Sequence, residues 1–127
     1  MIDSSPPQGG TPPALDGIAL DRLLSLGGEP FLKQMIDIVL PQAEARVAAA
    51  REGLATGDLA AVRLAVHSLR STAGNVGATL LLAAATRAEE LAKELRAGEL
   101  EPALAAVAAE WIRVRAALEA RRESLAP

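Results

Sequence analysis

The sequence has no cysteine, and its only aromatic residues are Phe31 and Trp111. Without cysteine there are no disulfides and no thiolate metal sites, and no redox compartment is implied. With so few aromatics, a core has to be assembled from leucine, isoleucine, valine and alanine. Those residues are plentiful: half of the 127 positions are hydrophobic, enough to bury the core of one compact domain. Alanine is the best helix former and leucine follows closely, so the composition points to an all-α protein.

An excess of positive charge is also missing, since the formal net charge is −3. A nucleic-acid binder needs a basic face to neutralise phosphates, so nucleic acid is not an expected partner. Arg113, Arg115, Arg121 and Arg122 cluster near the end, but Glu119 and Glu123 lie among them, which reads as a solvated helix face. The N-terminus carries Asp3 and no apolar run, unlike a signal peptide. Apolar stretches such as Leu80 to Ala85 are far too short to span a bilayer. No membrane association is expected, and the default compartment is the cytoplasm.

Residues 1–14 hold Pro6, Pro7, Pro12 and Pro13 together with Ser4, Ser5, Gly9 and Gly10, and read as a flexible tail. A domain follows over 15–125. Asp16 or Asp21 can start a short first helix with Leu20, Leu23 and Leu24 on one side, stopped by Gly27 and Gly28. Pro30 suits the first turn of a second helix. There Ile36, Val39, Ala43, Val47, Ala50 and Leu54 keep the spacing of one buried face, and Pro41 is expected to kink it. Gly57 ends it or lies in the turn.

Asp58 is a good N-cap for a third helix whose core stripe is Val62, Val66, Leu69, Ala73 and Val76, with Asn75 and Gly77 as candidate left-handed stops. A fourth helix is expected from about Thr79 to Arg96. Leu81, Ala84, Ala85, Ala88, Leu91 and Leu95 would form its buried side, and Gly98 its stop. A fifth, from about Pro102 to Arg122, would bury Leu104, Val107, Ala108, Trp111, Val114 and Leu118. Connections are short, so the long helices should alternate in direction. The expected architecture is an antiparallel up-and-down four-helix bundle with a short additional N-terminal helix.

The single histidine, His67, lies in the third helix. At about 100° per residue it points roughly 140° away from the core stripe, towards solvent. Its helical neighbours are Arg63, Arg70, Ser71 and Gly74. Ser71 and Gly74 are small and leave the imidazole unshielded. Glycine costs about 1 kcal/mol relative to alanine in a helix, so Gly74 suggests that something must approach closely there. Arg63 and Arg70 either form an ordinary solvated face or stabilise the oxygens of an incoming phosphoryl group.

The string His67-Ser68-Leu69-Arg70-Ser71, followed by Ala73-Gly74-Asn75-Val76-Gly77-Ala78, resembles the signature of histidine phosphotransfer (HPt) domains. That signature is His, any residue, Leu, Lys, Gly, with a Gly-Ala a little further on. Arg70 stands where Lys is commonest and Ser71 where Gly is commonest. Arg keeps the charge and Ser keeps the face open. The likeness in layout extends over about residues 16–124.

The resemblance implies a phosphocarrier rather than an enzyme. His67 would accept a phosphoryl group from an aspartate of one response-regulator receiver domain and pass it to another, in a two-component phosphorelay. It also implies that a Glu or Gln on the following helix orients the imidazole, and Glu89 is the matching position. Lys93, one turn later, could pair with Glu89 or reach the phosphoryl group. No cofactor or metal is expected on this chain, because the Mg²⁺ would belong to the receiver. Expected partners are receiver domains and a histidine kinase, hybrid or not, and the chain is expected to be a monomer. Met1 favours a free-standing protein over a domain excised from a hybrid kinase.

Overall fold

The computed structural model describes residues 11–125, and among them every regular element is helical. Four helices, α1 (Ile18–Thr56), α2 (Leu59–Val76), α3 (Thr79–Lys93) and α4 (Ala97–Glu123), form a four-helix bundle. Each packs on the next and α4 closes back on α1. The core is aliphatic, as composition required: Leu32, Ile36, Leu69, Leu81, Leu91, Leu100 and Leu118 are fully buried, with Ala43, Ala73, Ala85 and Ala88 between them. Alanine at these positions lets the helix axes come close. Among the described residues no helix is long and apolar enough to cross a membrane.

The expected stripes hold with few exceptions. Ile36, Val39, Ala43, Val47 and Ala50 of α1 are buried, and so are all five stripe residues of α2. Gly28 interrupts α1 with φ 79° and ψ −176°, a combination open essentially only to glycine. The break therefore falls at the second residue of the expected Gly27–Gly28 stop, and the helix resumes with Pro30 in its first turn. Pro41, expected to kink the helix, lies exposed within α1, and the residues around it keep helical dihedral angles. Its ring faces solvent, where the lost backbone bond is tolerated.

Asp58 caps α2, its carboxylate accepting from the Ala61 N–H at 3.0 Å. Asn75 stays helical, and Gly77 takes the left-handed stop at φ 73°.

The largest departure lies between α3 and α4. The helix expected to run to Arg96 ends at Lys93, and the next begins at Ala97 rather than Pro102. Leu95, expected in the core stripe, lies on the surface with φ 58°. Gly98 does not stop α3; it falls in the first turn of α4. The reason is Leu100, which is completely buried and continues the Leu104, Val107, Trp111 stripe one turn backwards. Burying it requires the chain to turn before residue 97.

Salt bridges of Arg96 to Glu94 at 3.0 Å and Glu99 at 2.5 Å hold the corner. The four C-terminal arginines are paired instead of simply solvated. Arg113 meets Glu110, while Arg115, Arg121 and Arg122 reach Glu44, Asp21 and Asp37 of α1.

The Pro- and Gly-rich stretch expected to be flexible lies, up to residue 10, outside the described residues. From there the chain already touches the bundle. The Pro12 carbonyl accepts from Arg113, Ala14 is buried, and the Asp16 N–H donates to the Gly77 carbonyl at 2.9 Å.

Candidate functional site

His67 sits midway along α2, on the face opposite Val62, Val66 and Leu69, and its side chain is 64% exposed. The helix cap at Asp58 and the buried stripe together set its rotation about the helix axis. Ser71 and Gly74, further along the same face, are exposed too. A side chain at Gly74 would meet nothing within 4 Å, so the space beside the imidazole is open.

Across the α2–α3 interface lies Glu89, a charged residue that is buried, with only 5% of its side chain exposed. One carboxylate oxygen, Oε2, is 2.8 Å from His67 Nδ1, and the other, Oε1, accepts from Arg70 Nη1 at 2.5 Å. Burial alone pushes the Glu89 carboxyl up. The hydrogen bonds and charges of Arg70 and His67 outweigh it and hold the group below the ordinary carboxylate range. Glu89 is therefore ionised at neutral pH and can only accept. The proton between the two must sit on Nδ1, which leaves the lone pair of the neutral imidazole on Nε2. Nε2 makes no hydrogen bond among the described residues. An exposed nitrogen nucleophile with a fixed tautomer is what this arrangement can offer chemically.

Arg63, His67, Arg70, Glu89 and Lys93 all line one open groove of about 590 Å³. These five side chains named from the sequence are thus brought together, on two helices, whereas Ser71 and Gly74 are not part of the groove's lining. Their relations differ in detail from the sequence reading. Arg70 is engaged with Glu89 rather than standing free, and Lys93 makes no ion pair with Glu89, whose two oxygens are already occupied. Arg70 Nε is buried without a partner, the one such side-chain atom among the described residues.

Sequence reasoning passed over Leu59 and Leu64 and assigned Leu95 to the core, yet all three form the apolar side of the groove. Leu64 had a local signal, being an apolar residue off the α2 core stripe. Leu95 had none, because its exposure depends on where α3 ends. No group of three or more histidine, cysteine or carboxylate residues suited to a metal occurs among the described residues.

The family model described as Hpt domain matches residues 34–124. Among solved structures, histidine-containing phosphotransfer protein B (HptB) from Pseudomonas aeruginosa PAO1 is similar at a TM-score of 0.85 and 24% sequence identity, covering 91% of this chain and 100% of that one. No curated protein matches.

Proposed function

Since the chain belongs to the Hpt domain family, a family of histidine phosphotransfer in phosphorelays, we propose that His67 is its phosphoacceptor and shuttles a phosphoryl group between receiver-domain aspartates. The observation that carries this reading is the 2.8 Å contact of Nδ1 with a buried, ionised Glu89, which leaves Nε2 as the free nucleophile. In the forward step the Nε2 lone pair attacks the phosphorus of an aspartyl phosphate. The N–P bond forms as the acyl O–P bond breaks, and the bonding pair leaves with the aspartate carboxylate. The Nδ1 proton stays in place, and Glu89 offsets the positive charge that develops on the ring. The second transfer is the reverse step to another carboxylate.

Within this scheme Arg70 holds Glu89, while Arg63 and Lys93 supply the cations that meet the phosphoryl oxygens. Ser71 and Gly74 keep the approach open. Phosphoryl transfer is mostly positioning and charge neutralisation, and the divalent cation belongs to the receiver, so this chain needs neither a cofactor nor a kinase or hydrolase site of its own. The partners are receiver domains and a histidine kinase, and the carrier works as a cytoplasmic monomer. The same proposal takes the bundle as antiparallel and up-and-down, with the helical segment ahead of Gly28 as a short additional N-terminal helix. Connections of two, two and three residues between the helices favour reversal at each.

Incubation with a phosphorylated receiver, followed by assay of acid-labile phosphate, tests the reading. Label should appear on the wild type and be absent from His67→Gln. Label that persists in the variant, or never reaches the wild type, overturns it.

A further inference from the structure

Three helices of this bundle end in the same backbone motif. In each, an N–H two or three residues beyond the helix returns to a carbonyl five residues back: Asp58 to Gly53 at 2.7 Å, Ala78 to Ala73 at 2.8 Å and Arg96 to Leu91 at 3.0 Å. The residue before each donor must take a left-handed conformation. It is Gly57 at φ 77° after α1, Gly77 at φ 73° after α2 and Leu95 at φ 58° after α3. Glycine adopts this conformation freely, whereas leucine is penalised by its Cβ. The chain thus uses the favoured residue twice and a disfavoured one the third time.

Packing does not account for the exception, because Leu95 is 73% exposed. Nor is the leucine isolated. It lines the His67 groove together with Leu64, itself 69% exposed and one helical turn before His67. Arg63 and Lys93 lie beside them and make no ion pair among the described residues.

We propose that Leu95 and Leu64 form an apolar clamp on one flank of His67 that grips the receiver domain during transfer, beside Arg63 and Lys93, which meet the phosphoryl oxygens of the receiver's phosphoaspartate. This rests on the phosphocarrier reading and adds to it the surface that selects the partner. The occupant follows from proximity. A donor aspartate must come within bonding reach of Nε2, and a globular domain of ordinary footprint, about 800 Å² per partner, then overhangs groove residues one turn away. Two exposed leucines there lose water when it docks. The cations carry the sign that suits those phosphoryl oxygens.

The decisive variant is Leu95→Gly, because it removes the side chain while relieving the backbone. Its melting temperature should equal or exceed that of the wild type. Labelling of His67 by the small donor phosphoramidate should be unchanged, since the nucleophile is untouched. Transfer from a phosphorylated receiver should show KM raised about 5- to 10-fold with kcat nearly constant. Leu64→Gln should behave alike, and Leu95→Met should restore most of the affinity. A KM for Leu95→Gly and Leu64→Gln within 2-fold of wild type overturns the clamp while leaving the carrier intact. A wild-type protein that phosphoramidate labels but no receiver does overturns the carrier reading itself.

Discussion

Glu89 is the residue on which the proposed chemistry turns, and its charge is held by partners instead of water. Arg70 and His67 keep its carboxyl below the ordinary range although burial pushes it up. A carboxylate whose pKa is depressed by folding contributes stability above its unfolded value, and that contribution is lost as pH falls through the folded value. Acid unfolding of the wild type should therefore begin at lower pH than that of Glu89→Gln, a difference readable by circular dichroism across the acidic range. For the chemistry the relevant variant is Glu89→Ala. It should slow receiver-driven transfer on the order of 10- to 100-fold by freeing the imidazole to rotate and change tautomer. An unchanged rate, with an unchanged His67 tautomer in ¹⁵N spectra, would remove Glu89 from the mechanism. The position of Glu89 was legible from the sequence only through the motif. Its pairing with Arg70 was not legible, because nothing local signals contact between residues 19 positions apart on two helices.

At the scale of single elements, two glycines have opposite meanings. Gly28 interrupts α1 in a conformation closed to other residues, with room for a Cβ, since only Pro30 Cδ at 3.8 Å would be near. Gly28→Ala should thus be destabilising through the backbone alone, by about 1–3 kcal/mol in denaturant titration. Gly74 is helical and exposed with nothing within 4 Å. Gly74→Ala should stabilise α2 by roughly 0.5–1 kcal/mol. If glycine is there for close approach, the more stable variant should also accept phosphoryl groups from a receiver more slowly; an equal rate would make Gly74 incidental. Helix ends tell a similar story. Gly57 and Gly77 could be read as stops because glycine announces a left-handed residue. The end of α3 could not, since the stop is a leucine and the nearby Gly98 is helical.

Across the whole molecule, α4 is fastened to α1 by an aliphatic core and by a row of polar contacts over it. Trp111 is buried yet donates its indole N–H to Glu44 at 2.5 Å, and Arg115 reaches the same carboxylate. The pairs Arg121–Asp21 and Arg122–Asp37 continue the row. Exposed ion pairs of this kind contribute little singly, about 0–1 kcal/mol. Trp111→Phe should cost about 1–2 kcal/mol, from the lost hydrogen bond and some lost packing, and leave the phosphotransfer rate untouched. A fall in rate at full occupancy of the fold would mean that the α1–α4 contact communicates with His67.

The sequence by itself determined the helical class, the bundle, the core stripes and the outward aim of His67. Each of these follows from periodicity and composition, which act over one or two helical turns. Only the tertiary structure decided that Arg70 closes on Glu89, that α4 begins a turn early to bury Leu100, and that Leu95 is left on the surface beside the histidine. Those outcomes depend on which distant faces meet. Where burying one leucine and exposing another compete, the packed core prevails over the local preference of the turn.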